Sequence, residues 1–383
     1  MHSASSLVAV ICAALALAGV AYFVIAVYAA RKFLSDSTQV PPNSCTPPVS
    51  ILRPLKGLDP HMYAAFCSHC LLEYNEYEVL FGVRDLSDPS VALVEKLREE
   101  FPSRQLRLVH CPQALGLNDK VSTLLQMLPQ AKYEYVVIND SDILVPRDYL
   151  HRIMSILAKP GVGMATALYR GLAGPTLGSK LEAVGLSTEF ACGVLVARTL
   201  EGIRFGLGAT IATTKSLLLE IGGLAPILDC LGDDYEIGAR IAAAGHKVEL
   251  AQVVVETALP DYRFRDFWIH QLRWARNVKD RRPAQYFGLI VSFALIWAVF
   301  AALAQPRAGW TWLVLIVTVA ARLTAALVVG RCVLRDPQLP RDLWLLPLRD
   351  LLGLSVWLVS YLGDEVEWRG ERFKVSDGRL SRM

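Results

Sequence analysis

A long uncharged stretch near the start of this sequence limits the folds that the chain can adopt. Residues 7–30 contain no charged side chain, and Arg31 and Lys32 follow directly. A helix of this length spans a bilayer, and the stretch is too long for the apolar core of a signal peptide. Basic residues beside a span favour the cytoplasmic side. We therefore expect residues 1–32 to be a retained transmembrane anchor, with the N-terminus outside and the residues after it in the cytosol.

Two further apolar stretches predict a second membrane region near the other end of the chain. Residues 285–304 carry no charge and residues 309–330 carry only Arg322, with a short turn between them. Their length and composition predict a helical hairpin that crosses the membrane twice. The whole chain is 53% hydrophobic, with a mean hydropathy of +0.36, which is typical of a protein with membrane segments.

A third apolar stretch, residues 343–362, is interrupted by Arg349 and Asp350. Charges at the centre of a bilayer are costly unless they neutralise each other or face protein. The tail at residues 365–383 is rich in arginine, which favours the cytosol. We therefore expect residues 283–364 to form two full spans and a re-entrant or interfacial segment, followed by a cytosolic tail. Four full spans with an outside tail are the alternative.

Between the membrane regions the sequence predicts a cytosolic α/β domain. Residues 33–48 contain several prolines and serines and predict a linker, so the domain covers residues 49–282. Within it, strand-like runs alternate with helical patterns, which indicates a Rossmann-like, mostly parallel sheet. In such sheets ligands bind beyond the carboxyl ends of the strands, where Asp85 and Asp140 lie. The strand-like runs are residues 49–52, 78–83, 106–109, 135–139 and 163–169.

The D-S-D motif at residues 140–142 follows one of these runs directly. Isolated buried carboxylates are costly unless they are paired, protonated or bound to a metal. In an extended chain the side chains of Asp140 and Asp142 point to the same side. Two carboxylates at a strand end suit Mg²⁺, which completes its coordination shell with water and substrate phosphates. A loop in which the acids only stabilise a turn is the competing interpretation.

Two lysines could supply positive charge for a phosphate-bearing ligand. Lys56 follows the first strand in "RPLKG", and Lys120 lies at a helix start in "LNDK". Taken alone, each is more often a solvated surface residue. A further acidic cluster, which includes Asp233 and Asp234, begins the amphipathic helix of "GDDYEIGARIAAAG", and there helix capping explains the acids as well as catalysis does.

Near the second membrane region, His270, Arg273 and Trp274 are spaced to share one helical face. A helix that simply lies in the membrane interface would have the same composition.

The net charge of +3 does not indicate nucleic-acid binding. The single CxxC motif, Cys67 to Cys70, lacks a second ligand pair and is interpreted as two structural thiols.

These motifs form an ordered series along the chain. Asp85 in "VRDLSDPS", Asp140 in "NDSD", Asp234 in "GDDYEIG" and "HQLRW" at residues 270–274 follow a D, D, D, (Q/R)xxRW pattern. The series resembles the membrane-bound inverting glycosyltransferases with the GT-A fold, in the branch of the ceramide glucosyltransferases, glycosyltransferase family 21. The bacterial hopanoid-associated glycosyltransferases are similar as well. His270 departs from the pattern, which usually has Gln or Arg at this position.

The resemblance implies an enzyme that moves a sugar from a UDP-sugar donor to the hydroxyl of a membrane lipid. It assigns Asp85 and Asp140 to the nucleotide-sugar, with Lys56 and Lys120 near the nucleotide. It also assigns Asp140 and Asp142 to a divalent metal ion, Mg²⁺ or Mn²⁺, that bridges the diphosphate.

On the acceptor side, the resemblance makes Asp234 the general base that takes the proton of the lipid hydroxyl. Arg273 would support the departing diphosphate, His270 would donate a hydrogen bond to a phosphate or hydroxyl, and Trp274 would shape the acceptor mouth. The partners would be the UDP-sugar, the lipid acceptor and the bilayer, with no nucleic acid. The bacterial inner membrane is the expected location, with the catalytic domain in the cytosol.

Three other functions are compatible with parts of the sequence. A hopanoid-associated N-acetylglucosaminyl transferase would share every motif. A processive polysaccharide synthase would share them too, but it needs more spans to house a polymer channel. A non-catalytic membrane scaffold would explain the acids as helix caps and would leave the cytosolic domain without a role.

Overall fold

The computed structural model describes residues 2–36, 46–368 and 370–382, so most of the linker predicted at residues 33–48 lies outside the described residues. Eleven strands are described: β1 Val49–Leu55, β2 Tyr77–Val83, β3 Gln105–His110, β4 Tyr135–Ile138, β5 Ile143–Leu144, β6 Val162–Leu172, β7 Ile211–Thr214, β8 Lys247–Ala258, β9 Glu365–Trp368, β10 Glu371–Ser376 and β11 Arg379–Arg382. The α-helices are α1 His2–Ser35, α2 Met62–Cys70, α3 Ser90–Glu100, α4 Asp119–Met127, α5 Tyr149–Leu157, α6 Leu177–Gly185, α7 Ala191–Leu200, α8 Lys215–Glu220, α9 Asp233–Ala243, α10 Phe264–Arg281, α11 Pro283–Gly288, α12 Ala294–Ala304, α13 Gly309–Leu327, α14 Leu339–Asp342 and α15 Leu346–Ser360.

The central sheet confirms the predicted α/β class. Its eight strands follow the order β3-β2-β1-β4-β7-β6-β8-β5, and β3, β2, β1 and β4 run parallel to one another. Every strand-like run of the sequence forms a strand in this sheet. All residues of β2 are buried, as expected for a strand with helices on both faces. The carboxyl ends of β1, β2 and β4 therefore meet at one edge.

Within the described residues, five helices are long and apolar enough to cross a membrane. They cover Ala4–Ser35, Leu177–Leu200, Pro283–Ala304, Gly309–Val333 and Leu339–Ser360. The second of these lies outside the membrane segments predicted from the sequence. It consists of α6 and α7, joined without a break by a π-helical turn. More than half of its apolar window is buried inside the protein, so its apolar side chains serve internal packing.

The helices pack closely where a glycine removes the side chain. A Cβ atom on Gly19 of α1 would lie 2.3 Å from both the Cβ of Ala294 and the carbonyl oxygen of Val291. Only glycine allows the two backbones to approach this far, which is the usual way in which apolar helices associate in membranes. This contact fixes the N-terminal helix against α12.

The segment of α14 and α15 begins and ends beside the α/β domain. Arg170 of β6 donates from Nη1 to the carbonyl of Leu334 at 2.7 Å, just before the segment. Lys279 of α10 donates to the carbonyl of Gly363 at 3.1 Å, just after it. The two ends of the segment are therefore held against the same domain.

The tail forms a small antiparallel sheet of β9, β10 and β11, which the sequence analysis did not predict. The backbone N–H of Leu380 donates to the carbonyl of Asp229 at 2.7 Å, and Leu380 packs in one apolar cluster with Leu231. The tail sheet therefore covers the loop that leads into α9.

Candidate active site

A buried arginine fixes the D-S-D loop after β4. The Nη2 of Arg53, in β1, donates to the carbonyls of Asp140 at 3.0 Å and Ser141 at 2.7 Å, and its Nη1 donates to the carbonyl of Ala65 at 3.2 Å. Burial lowers the pKa of Arg53 to about 10, and nearby Asp142 opposes this shift. The guanidinium therefore stays charged at neutral pH. Sequence reasoning missed this role, and a charged residue inside a buried strand was the available signal.

Asp142 is held by a hydrogen bond from a neighbouring strand. The hydroxyl of Thr257, in β8, donates to Oδ2 of Asp142. Burial and the neighbouring carboxylate of Asp140 raise the pKa of Asp142 to about 6. Because the two negative carboxylates repel each other, a bound cation would stabilise the ionised form of both.

Lys120 lies at the start of α4 and pairs with two acids. Its Nζ lies 2.7 Å from Oδ1 of Asp140 and 3.0 Å from Oδ2 of Asp233, and only 15% of its side chain is exposed. Burial alone would lower the pKa of Lys120, but Asp140 and Asp233 raise it well above its ordinary value. Lys120 thus joins the carboxyl end of β4 to the entry of α9. Asn118 supports this junction by donating to the carbonyl of Cys230 at 2.8 Å.

Asp234 faces Asp140 across a glycine. A Cβ atom on Gly208 would lie 3.2 Å from Oδ2 of Asp234 and 3.3 Å from Oδ2 of Asp140. A side chain at this position would occupy the space between the two carboxylates, so glycine keeps that space open. Burial and the adjacent Asp233 raise the pKa of Asp234 to about 6, while Lys120 lowers it. The Asp234 carboxyl therefore titrates near pH 6, above the ordinary range of an aspartate.

Asp85 and Lys56 lie at the outer rim, on the loops after β2 and β1. Asp85 accepts a hydrogen bond from the backbone N–H of Ser87 at 2.8 Å, which lowers its pKa. Lys56 contacts Oδ2 of Asp119 at 2.5 Å, with half of its side chain exposed. Both groups are accessible to a ligand.

The three predicted residues of α10 line the same space. Nδ1 of His270 lies 3.1 Å from Oε1 of Glu182, a buried acid of α6. The guanidinium of Arg273 lies 5.9 Å from the ring centre of Trp368 in β9, a cation–π contact. Trp274 packs against the core of the α/β domain. Sequence reasoning missed both Glu182 and Trp368, because each is distant in sequence from every motif.

One cavity of about 950 Å³ brings the predicted residues together. The sequence-predicted residues that line it are Lys56, Asp85, Lys120, Asp140, Asp142, Asp234, His270, Arg273 and Trp274. The acids of the strand ends and the aromatic and basic residues of α10 all line this cavity. The cavity continues between apolar helices, where its lining includes Tyr22 of α1 and Trp357 of α15.

The acids of the D-S-D motif fit a divalent cation that shares its shell with a ligand. No group of three or more His, Cys, Asp or Glu side chains suited to a metal occurs among the residues that the structure describes. Mg²⁺ is commonly held by one or two carboxylates, with substrate phosphates and water as the remaining ligands. Asp140 and Asp142 supply this number and kind of ligands.

The fold has a counterpart among solved structures. A mannosyltransferase from Pyrobaculum calidifontis, solved in complex with GDP-Man and Mn²⁺, superposes with a TM-score of 0.56 and 21% sequence identity, covering 93% of this chain and 98% of that one. The sheet order and this likeness define a GT-A glycosyltransferase fold, and helices long and apolar enough to cross a membrane lie toward both ends of the described chain.

The chain belongs to glycosyl transferase family 21, whose model matches residues 11–381. Ceramide glucosyltransferase 1 of Caenorhabditis elegans is 24% identical over 214 residues, which are 56% of this chain and 46% of that protein. The ceramide glucosyltransferase of Komagataella phaffii is 32% identical over 132 residues, which are 33% of this chain and 26% of that protein. The matched region thus spans less than half the length of these curated relatives.

Proposed function

We propose that this protein is a membrane-bound inverting glycosyltransferase that moves glucose or a related hexose from a UDP-sugar to the hydroxyl of a membrane lipid. The observation that carries the proposal is the facing pair of Asp140 and Asp234 across Gly208, in a cavity that continues between apolar helices. Asp140 lies at the strand ends, where ligands bind in such sheets, and Asp234 lies at the start of α9. The hydroxyl of a lipid placed between the two carboxylates would therefore reach Asp234 as its base and the sugar of a donor bound at Asp140.

The donor would lie along the strand ends. Asp85 and Asp140 would hold the uridine, and Lys56, at the rim of the cavity, would lie near the phosphates. Asp140 and Asp142 would hold Mg²⁺ or Mn²⁺, which when bound stabilises the negative charge that develops on UDP. The side chain of Arg273 would contact the same diphosphate from α10.

Transfer would then follow from the position of Asp234. Its carboxylate takes the proton of the lipid hydroxyl while the hydroxyl oxygen attacks the anomeric carbon. The new carbon–oxygen bond forms as the bond to UDP breaks on the opposite face, so the configuration inverts. His270, which is held by Glu182, would donate a hydrogen bond to a phosphate or hydroxyl at the acceptor end, and Trp274 would border the acceptor mouth.

The direct test is transfer by the purified protein in detergent. It should convert ceramide and UDP-glucose to a glycolipid and UDP, with the product configuration determined by NMR. Assays with UDP-N-acetylglucosamine and a hydroxylated hopanoid test the alternative acceptor and donor. Release of no UDP with any of these pairs would contradict the proposed activity and favour a non-catalytic scaffold.

Replacing Asp142 with Asn tests the metal assignment. The amide keeps the shape of the side chain but removes a charge from the cation site. Activity should fall by roughly tenfold or more, the lower end of what disturbing a metal site costs, and excess Mg²⁺ or Mn²⁺ should restore part of it. Full activity of the unaltered protein in a chelator would contradict the assignment.

We also propose that the catalytic domain is cytosolic, that the protein lies in a bacterial inner membrane, and that the α14–α15 segment dips into the bilayer without crossing it. The contacts of Arg170 before the segment and Lys279 after it support the last point, because both belong to the α/β domain. The packing of the tail sheet on the loop before α9 supports a tail on the same side. Neither Arg349 nor Asp350 would then face hydrocarbon, and both are buried.

Cysteine labelling on intact cells tests this topology. In a Cys332→Ser background, which removes an exposed thiol, Ser381→Cys adds one to the tail, and Arg307→Cys adds one to the turn between α12 and α13. A membrane-impermeant thiol reagent should label the turn without lysis and the tail only after lysis. Labelling of the tail in intact cells would show that the segment crosses.

A further inference from the structure

The inner end of the cavity lies along the helix of residues 177–200. Glu182, Gly185, Glu189 and Gly193 recur three or four positions apart, so they lie on one helical face, and all four line the cavity. We call them the inner stripe. The stripe begins beside His270, to which Glu182 is paired, and its last residue, Gly193, lies near Tyr22 of the apolar helix α1.

The charged groups along the inner stripe neutralise one another. Arg349 donates to both carboxylate oxygens of Glu189, at 2.9 and 2.8 Å. Arg322 pairs with Asp350 at 2.8 Å and donates to the carbonyl of Thr188 at 3.1 Å, within the π-helical turn. These pairs neutralise charge along this part of the cavity, which therefore suits the uncharged portion of a lipid.

The two glycines of the inner stripe differ in what surrounds them. A Cβ atom on Gly185 would lie 2.7 Å from Nε of Arg349, so the packing of the protein requires glycine there. A Cβ atom on Gly193 would meet only the hydroxyl oxygen of Tyr22, at 3.9 Å, which is an ordinary contact distance. Glycine is unfavourable in a helix interior, and its helical backbone conformation gives it no advantage here. The contacts of Gly193 within the protein therefore leave this glycine unexplained.

We propose that the open space at Gly193 holds hydrocarbon of the lipid acceptor, and that this residue determines which lipids the enzyme accepts. The inference rests on the proposed function and adds a specificity-determining position to it. A lipid whose hydroxyl lies at Asp234 would extend its chain past His270 and along the inner stripe, because the cavity is continuous over this path. The chain would leave between helices that are long and apolar enough to lie in the bilayer.

Filling the space with Gly193→Leu tests the proposal. Transfer to a ceramide with two long chains should fall by about 10–200-fold, the range that shape discrimination in an apolar pocket provides. Transfer to the analogue with a short acyl chain should fall less, so the selectivity between the two acceptors should change. UDP binding, measured by calorimetry, should be unchanged, and Gly193→Ala should have an intermediate effect on transfer.

Gly288→Leu is the matched control. Gly288 belongs to the apolar helix α11, lies outside the cavity, and has no atom within 4 Å of a Cβ position, so this variant should transfer to both acceptors like the wild type. Unchanged selectivity in Gly193→Leu would overturn the inference, and so would a parallel loss of UDP binding. Failure of the wild-type protein to transfer sugar to any lipid would overturn the proposed function itself.

Discussion

Replacing Asp234 with Asn should reduce sugar transfer by about 10²–10⁴-fold, the usual contribution of a general base. The amide keeps the volume of the side chain but cannot accept the proton of the lipid hydroxyl. UDP binding should persist, since the carboxylate proposed to contact the donor belongs to Asp140. Asp233→Asn is the matched control at the adjacent position, and it should retain more activity. Equal losses in the two variants would contradict the assignment of the base to Asp234.

The pH dependence of the wild-type enzyme follows from the same residue. Burial and Asp233 raise the pKa of Asp234 to about 6. A base must be deprotonated to work, so transfer should be low at pH 5, rise through pH 6 and level off above pH 7. Saturating metal in the assay keeps Asp142 ionised, so that the midpoint reports on Asp234. A rate that falls as pH rises over this interval would exclude a carboxylate base.

Replacing Lys120 with Met should have the second largest effect. The change leaves the carboxylates of Asp140, Asp233 and Asp234 without their shared cation. Removing one partner of a buried ion pair typically costs about 3–5 kcal/mol, so the midpoint of thermal unfolding should drop clearly. The loss of positive charge should also raise the pKa of Asp234 and move the midpoint of the pH profile upward by about 1–3 units.

Lys120→Arg separates charge from shape at this position. The guanidinium keeps the positive charge, so the midpoint of the pH profile should stay near that of the wild type even if binding geometry is disturbed. The methionine and arginine variants should therefore differ in their pH midpoints. A methionine variant with the wild-type profile would show that Lys120 does not influence Asp234.

The sequence predicted the strand ends of the site because their signals are local. Asp85 and Asp140 each follow a short apolar run, and the carboxyl ends of parallel strands necessarily share one edge of a sheet. The spacing of His270, Arg273 and Trp274 likewise fixes a common helical face. These patterns were sufficient to place the residues around one cavity, although their roles stay predictions.

The sequence did not predict how the charged residues would pair. Arg53 follows an apolar run and lies three positions before Lys56 in "RPLKG", yet it is buried and binds the backbone carbonyl of Asp140, 87 positions away. Lys120 was interpreted as a phosphate contact, and the structure places it between two carboxylates. Such pairings depend on which elements become neighbours, and no local pattern contains that information.

The sequence by itself determined the apolar segments, the alternation of strands and helices and the order of the motifs, because hydrophobic periodicity and the cost of burying charge act over a few residues. Only the tertiary structure decided that Glu189 pairs with Arg349, 160 positions away, and that the tail sheet packs on the loop before α9. It also decided that Gly193 faces open space while Gly185 is tightly packed. The physical reason is that these outcomes depend on the distances between separately formed elements, which are set when the helices and the sheet pack together.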